Sequence, residues 1–136
     1  MSTPTDSSIR IEEEIQFYDT DCGGVVHNLA YLRLIEKARG VLCREVLGLD
    51  LKSMDADQLF PAVTRTEVDY LKPARLGDRI EVRGSFEKIG RIRMICQFEI
   101  SPVREPETIL NRCRQTLVLV QMPEGKAKRV PKEWRS

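Results

Sequence analysis

The residues best suited to chemistry lie in one short segment, DTDCGGVVHN, at positions 19–28. Asp21 is followed by Gly23 and Gly24 and precedes the predicted start of a helix by only a few residues. Backbone N–H groups and a partial positive charge collect at a helix N-terminus, where they can polarise a carbonyl oxygen. A carboxylate beside that carbonyl can attack it or take a proton from water. The spacing therefore supplies the groups needed to hydrolyse an acyl derivative.

The same residue types also serve an ordinary structural purpose. Four of them can accept hydrogen bonds from the unpaired N–H groups at the helix start: Asp19, Thr20, Asp21 and Asn28. Because Asp, Thr and Asn are common immediately before helices, spacing alone favours capping over catalysis.

Three further residues of this segment have both a catalytic and a structural interpretation. His27 is the single histidine, and a lone histidine more often packs or lies at the surface than exchanges protons with a substrate. Asn28 is well suited to cap the helix. Cys22 could act as a nucleophile with His27 as its base, although a small residue that fills a tight turn is the more common role.

A second candidate site is a cluster of cations around a turn. Lys88, Arg91 and Arg93 surround Ile89 and Gly90, and exposed cations of this kind can bind phosphates. For any single one of them, a solvated strand face is the more common interpretation.

Composition limits the class of protein. A chain of 136 residues is long enough for one ordinary domain and too short for two full cores. Hydrophobic residues make up 41% and charged residues 32%, which excludes a disordered chain and predicts a folded core. Since 22 Lys and Arg face 21 Asp and Glu, no global field attracts nucleic acid or acidic lipid, and we expect neither partner.

Apolar runs and cysteines predict the compartment. The longest aliphatic run, Leu117 to Val120, is far shorter than the roughly 20 residues of a membrane-spanning helix, and the first residues resemble neither a signal nor a transit peptide. Four scattered cysteines without a CxxC pair predict reduced thiols in a cytoplasm. With one histidine beside them, we expect no metal and no cofactor.

Hydrophobic periodicity predicts one strand, one long helix and then four strands. Alternation marks a first strand at positions 9–17. Apolar residues at three- and four-residue steps mark a helix from Asn28 to Leu47, which Gly48 ends. Alternation returns in four further runs, at positions 64–70, 79–86, 92–100 and 112–122.

These elements predict an α+β domain in which a five-stranded antiparallel sheet wraps around one long helix. Residues 1–136 are expected to form this single domain, with positions 1–8 and roughly 123–136 as trailing ends. An open sheet leaves unpaired edges, so dimerisation is expected to cover them.

Three stretches resemble a known family. FYDTDCGGVVHNLAYLRLIEKAR resembles the signature of the 4-hydroxybenzoyl-CoA thioesterase family of hotdog-fold proteins. VDYLKPARLGDRIEV resembles the strand, turn and strand that follow in the family, and VPKEW resembles its C-terminal end. The likeness extends from Ile9 to Trp134. It implies a hotdog fold with active sites at the interface of a homodimer, or of a homotetramer built from such dimers.

The resemblance also implies roles for individual residues. Asp21 matches the catalytic carboxylate, which acts as nucleophile or general base beside a thioester. The backbone N–H that polarises the thioester carbonyl falls at Asn28. The predicted substrate-binding residues are Gly23 and Gly24 of the turn, Val26, the aromatic Tyr31, and the cations Lys88, Arg91 and Arg93 along the phosphates and pantetheine of CoA. The implied function is an acyl-CoA thioesterase that releases a carboxylic acid and CoA.

One departure from the family pattern keeps alternatives open. Many members have an aromatic residue followed by His or Tyr where this chain has His27 followed by Asn28, so the histidine is shifted by one position. The HNxxY pattern also resembles thioesterases that act on acyl carrier protein. A non-catalytic module that binds acyl-CoA is a further alternative. A hotdog hydratase is a weaker one, since the DTDxGGVV turn does not resemble the hydratase pattern.

Overall fold

A computed structural model describes residues 4–135, in which an antiparallel sheet packs against one long helix. The elements in chain order are β1 Ser8–Glu14, α1 Asn28–Leu47, α2 Leu51–Asp57, β2 Leu59–Tyr70, β3 Arg79–Ile89, β4 Arg93–Pro102, β5 Asn111–Gln121 and β6 Lys126–Lys128. Short 3-10 helices occupy Pro4–Asp6, Phe17–Asp19 and Lys132–Trp134. The strand order is β1-β3-β4-β5-β2, and β6 pairs with β5. The edge strands of this path are therefore β1 and β2.

The long helix has the predicted bounds. Gly48 ends it with φ 71°, a left-handed conformation that glycine adopts without strain, and the Gly48 N–H donates to the Arg44 carbonyl. Its buried stripe faces the sheet at β1, β3 and β4, and includes Tyr31, Leu34, Ile35, Ala38 and Leu42. Since α1 lies toward the β1 side, it leaves the inner face of β2 largely uncovered.

The predicted meander is confirmed for β3, β4 and β5, whose apolar residues alternate into the core. Gly84 of β3 has a packing reason to lack a side chain, because a Cβ there would lie 2.6 Å from Cδ1 of Phe98. This close approach lets the Phe98 ring fill the core beneath β3.

The structure corrects several element predictions. The first strand ends at Glu14, and Phe17 is 80% exposed in a 3-10 turn instead of facing the core. The second strand begins at Leu59, five residues before the predicted position 64, and the helix α2 precedes it. The first strand stops early because the Asp19 carboxylate accepts from the Gln16 N–H and holds positions 17–19 in a 3-10 helix. The second strand begins in a continuous apolar run, Leu59 to Val63, where alternation gives no signal.

The C-terminal segment does more than trail. Residues Lys126–Lys128 form the sixth strand, and Val130 is fully buried with its N–H donating to the Arg91 carbonyl at 2.7 Å. The sheet therefore has six strands instead of five. Of the trailing ends predicted at positions 1–8 and roughly 123–136, positions 1–3 and 136 lie outside the described residues. Within residues 4–135, no helix is long and apolar enough to cross a membrane.

Candidate active site

The DTDCGGVV segment folds as a tight turn that is fastened on both sides. Gly24 N–H donates to the Asp21 carbonyl at 3.0 Å, and Gly24 takes φ 71°, which explains a glycine here. Asp21 N–H donates to the Val25 carbonyl, and Val26 N–H donates to the Ala74 carbonyl at 2.9 Å. The turn is thus bonded both to itself and to the loop before β3.

Asp21 lies at the exposed tip of this turn. One carboxylate oxygen, Oδ1, accepts from the Gly23 N–H at 2.9 Å, which forms an Asx turn. The prediction that Asp21 caps the long helix is therefore wrong, because its side chain bonds within its own turn. The arrangement fixes the direction of the carboxylate while the residue stays open to solvent.

Asp19, two residues earlier, is a buried structural carboxylate. It is 1% exposed; Oδ2 accepts from the Gln16 N–H at 3.0 Å and Oδ1 accepts from Arg33 Nη2 at 2.8 Å. Its carbonyl oxygen also accepts from the His27 N–H at 3.0 Å. Sequence alone grouped Asp19 with Asp21 as a possible helix cap, yet it caps only the short 3-10 helix Phe17–Asp19.

His27, and not Asn28, is the N-cap of α1. Nδ1 of His27 accepts from the Ala30 N–H at 3.1 Å, and Nε2 lies 3.3 Å from the Tyr18 carbonyl oxygen. These partners assign the neutral tautomer with its proton on Nε2, which donates to Tyr18. Both ring nitrogens are therefore engaged by the backbone, and Asn28 is the first helical residue instead of the cap.

The first turn of α1 opens onto a cleft of about 210 Å³. Its near wall contains the predicted residues Val26, Asn28 and Tyr31, and its far wall is formed by residues 70–73. Among residues 4–135, the backbone N–H groups of Asn28 and Leu29 have no hydrogen-bond partner, as expected for the start of a helix. Unpaired donors and the positive end of the helix dipole thus lie at the helix start, where Asn28 lines the cleft. The predicted site residues Asp21, Gly23 and Gly24 are not among the residues that line it.

Tyr31 is buried and connects the helix side of the cleft to its far wall. Its hydroxyl oxygen accepts from the Ala74 N–H at 2.9 Å, and its ring meets that of Tyr70 edge to face with centroids 5.6 Å apart. Burial raises the pKa of Tyr31 above its usual value. The sequence does not predict Tyr70 as part of the far wall. Periodicity locates the end of β2 but gives no sign that this end faces the helix start.

The cationic turn lies at the other end of the sheet. Lys88, Arg91 and Arg93 are exposed around the β3–β4 turn. Arg93 of β4 lies opposite Val118 of β5, which lies opposite Ala62 of β2, so Ala62 marks the end of β2 nearest the cations. Tyr70, which lines the cleft, is at the other end of β2, about 25 Å away at strand spacing. Within one chain, the structure therefore does not bring these cations to the cleft.

The cysteines differ in accessibility. Cys22 is exposed beside Asp21, whereas the other three are buried. Burial raises the pKa of Cys43 to about 11 and the pKa values of Cys96 and Cys113 to about 12 each, which keeps these three as neutral thiols. Across residues 4–135, no three His, Cys, Asp or Glu side chains lie close enough together to hold a metal ion.

Comparisons with known proteins agree on one family. Residues 15–136 match the family model of the thioesterase-like superfamily. A 1,4-dihydroxy-2-naphthoyl-CoA hydrolase from Synechocystis is 29% identical over 126 residues, which cover 92% of this chain and 90% of that protein. The acyl-CoA thioester hydrolase YbgC from Escherichia coli is 27% identical over 118 residues, which cover 87% of this chain and 86% of that protein.

Solved structures give the same answer for the fold. The crystal structure of a 1,4-dihydroxy-2-naphthoyl-CoA thioesterase from Synechocystis superposes with a TM-score of 0.81 at 25% identity, covering 94% of this chain and 93% of that one. The predicted hotdog fold is thereby confirmed, while the narrower 4-hydroxybenzoyl-CoA thioesterase family stays a prediction. Because the family match runs through the Asp21 turn, α1 and every later strand, the chain belongs to the thioesterase-like superfamily.

Proposed function

We propose that this protein hydrolyses acyl-CoA thioesters to a free carboxylic acid and CoA. The observation that carries the proposal is that one short segment holds both an exposed carboxylate, Asp21, and unpaired backbone N–H groups at the start of α1. A thioester carbonyl needs both a nucleophile or base and a donor for the oxygen that becomes negative. Membership of the thioesterase-like superfamily supports the same reaction.

In this proposal the thioester oxygen accepts from the backbone N–H of Asn28. The Asp21 carboxylate has two routes. It attacks the carbonyl carbon and expels the CoA thiolate, and water then cleaves the mixed anhydride. Alternatively, it takes a proton from a water molecule that attacks the same carbon, the C–S bond breaks, and CoA leaves as its thiolate, which then takes up a proton. His27 acts as a positioning residue, because both of its ring nitrogens hold the backbone around the helix start.

We further propose that two copies pair along the edge strand β2. Residues 63–67 of β2 are exposed, and a free strand edge readily pairs with another chain. Exposed apolar side chains lie on and next to this strand, among them Val63, Tyr70 and Leu71 at 37%, 48% and 50% exposure. A second copy covers such residues and completes the cleft.

Such a two-fold pairing accounts for the position of the cationic turn. Antiparallel pairing of β2 with its copy places the Ala62 end of one strand beside the Tyr70 end of the other. The partner's Lys88, Arg91 and Arg93 then approach the cleft from which they are remote in a single chain. In that position they bind the phosphates of CoA.

Release of free thiol from a panel of aromatic and aliphatic acyl-CoA esters tests the proposal. The wild type is compared with Asp21→Asn and with a matched control, Asp55→Asn, which removes an equally exposed carboxylate from α2. We expect hydrolysis by the wild type and the control, and a loss of at least a hundredfold in kcat for Asp21→Asn. Equal rates for Asp21→Asn and the wild type would overturn the role of Asp21.

The same assay tests whether the acyl group is carried by CoA or by acyl carrier protein. Matched acyl groups on CoA and on acyl carrier protein are supplied at equal concentration, and kcat/KM is compared. We expect a higher value for the CoA ester. A higher value for the carrier-protein ester would assign the protein to the alternative class.

A further inference from the structure

Asn111 opens β5 with a side-chain amide that lacks any hydrogen-bond partner among residues 4–135. The residue is fully buried, and neither its Oδ1 nor its Nδ2 is bonded. Proteins keep few buried polar groups unpaired, because the lost hydration is not replaced. An orphaned amide with both a donor and an acceptor therefore points to a group that binds it.

The strand register places this amide next to the cleft. Asn111 lies on the same face of β5 as buried Cys113 and Gln115, which is the face toward α1. It pairs with Ile100 on one side and with Tyr70 on the other. Residues directly opposite in antiparallel strands have neighbouring side chains on one face. Asn111 is therefore the inner neighbour of Tyr70.

Of the strand neighbours Ile100, Cys113 and Tyr70, only Tyr70 connects Asn111 to the surface. Ile100 and Cys113 are 0% and 3% exposed, whereas Tyr70 is 48% exposed and lines the cleft at the start of α1. Tyr70 is also the last residue of the edge strand β2, and its ring packs edge to face on Tyr31. Asn111 does not itself line the cleft, and its link to the cleft is the directly opposite residue Tyr70, which does. A group that displaces the Tyr70 ring would meet the Asn111 amide.

We propose that Asn111 is a specificity-determining residue that hydrogen-bonds a hydroxyl group on the acyl part of the substrate. This inference rests on the proposed thioester hydrolysis and assigns one residue of this chain to the recognition of a hydroxylated acyl group. A hydroxyl both donates and accepts, which matches the amide oxygen and NH₂ group of Asn111. The rings of Tyr31 and Tyr70 and the Val26 side chain enclose the hydrocarbon part. The hydroxyl is carried on an aromatic ring or on an aliphatic chain, and the test separates the two.

The test measures kcat/KM for matched pairs of esters. One arm compares benzoyl-CoA with the three hydroxybenzoyl-CoA isomers, and the other compares butyryl-CoA with 3-hydroxybutyryl-CoA. We expect the wild type to prefer a hydroxylated ester by about ten- to a hundredfold in one arm, which identifies the source of the hydroxyl. Leu has a similar volume to Asn but no amide. In Asn111→Leu, the kcat/KM ratio of the hydroxylated to the unsubstituted ester should fall to about one, while the unsubstituted ester is still hydrolysed.

Ser101→Ala is the matched control. Ser101 is also fully buried with an unpaired oxygen, but it lies on the opposite face of the sheet, across from Glu81. We expect this variant to keep the wild-type preference. If Asn111→Leu does not fold, Asn111→Ala is measured instead. A wild type without preference in either arm, or a preference that survives in the Asn111 variant, overturns the proposal.

A binding measurement separates this inference from the hydrolysis on which it rests. S-benzyl-CoA and S-butyl-CoA thioethers, with and without a hydroxyl, cannot be hydrolysed, and calorimetry gives their Kd values. If the wild type binds a hydroxylated thioether at least tenfold more tightly and Asn111→Leu does not, Asn111 is a specificity residue even where no ester is hydrolysed. Equal Kd values of the hydroxylated thioether for the wild type and for Asn111→Leu count against this role of Asn111, whether or not any ester is hydrolysed.

Discussion

Arg33, on the second turn of α1, donates from Nη2 to Oδ1 of Asp19 at 2.8 Å and so ties the helix to the segment that carries Asp21. Asp19 is almost fully buried, whereas the Arg33 side chain is 45% exposed. The Asp19 carbonyl accepts from His27, so this one residue secures both ends of the loop between the 3-10 helix and α1. The buried Asp19 therefore anchors the segment that carries the exposed Asp21.

Asp19→Asn tests that relationship. The substitution removes the charge that Arg33 pairs with, and we expect a lower melting temperature, equivalent to about 1–3 kcal/mol of unfolding free energy. We also expect kcat to fall at least tenfold with a smaller change in KM, because the Asp21 turn loses its anchor. Asp21→Asn is the control and should leave the melting temperature nearly unchanged. Wild-type kcat in Asp19→Asn would show that the ion pair does not position the turn.

Two substitutions at His27 separate capping from catalysis. Asn also caps helices well, so His27→Asn should keep most of the stability and activity, whereas His27→Ala loses about 1 kcal/mol of unfolding free energy. The measurements are chemical denaturation and kcat/KM on the same ester. Should His27→Asn lose as much kcat as Asp21→Asn, the histidine takes part in proton transfer instead.

Replacing Lys88, Arg91 and Arg93 together by Ala should raise KM about tenfold or more and leave kcat largely intact. These cations interact with phosphates far from the scissile bond, so they contribute binding without changing the barrier of the bound state. Added salt should raise the wild-type KM and narrow the difference between the two proteins. The double variant Lys52→Ala/Arg104→Ala, which removes exposed cations elsewhere, serves as control. A collapse of kcat with unchanged KM contradicts this role.

Because Cys96 and Cys113 are buried, we expect the folded state to lose stability at alkaline pH. Burial raises the pKa of Cys96 and Cys113 to about 12 from an ordinary value of 9.0, so the folded state keeps protons that the unfolded state releases. Their contribution to stability is therefore complete below pH 9 and declines as the pH rises toward 12. Melting temperatures of the wild type and Cys96→Ala at pH 8 and 10.5 check this, and the variant should show the smaller decline.

The same burial makes Cys22 the accessible thiol. Ellman's reagent at pH 8 should modify one thiol quickly in the folded protein and four after denaturation. Rapid modification of several thiols in the folded protein would contradict the buried positions of the other three.

Pairing along β2 predicts a molar mass of at least twice 15.6 kDa by light scattering. A lysine on a strand edge opposes pairing, so Val63→Lys should shift the mass toward 15.6 kDa and lower the activity together. Val103→Lys, placed in the β4–β5 connection, should do neither. A monomeric wild type with full activity would exclude a shared site.

Much of the architecture could be predicted because it depends on local patterns. The α1 bounds follow from apolar spacing and from Gly48, and the β3 to β5 meander follows from alternation between turns. The helix α2 and the strand β6 could not be predicted in this way. Leu51–Asp57 buries no residue and Lys126–Lys128 is exposed throughout, so neither segment has a hydrophobic period.

The sequence by itself determined the family likeness, the α+β order and Asp21 as the acid of interest, since each depends on residue identity and spacing along the chain. Only the tertiary structure distinguished the role of Asp19 from that of Asp21, because these two residues of one motif have the same side chain and differ in burial and hydrogen-bond partners. It also made His27 the cap, brought Tyr70 beside the helix start with Asn111 opposite it in the sheet, and set the cations at the far end of the sheet. Those relationships join residues distant in the chain, and only strand pairing and core packing decide them.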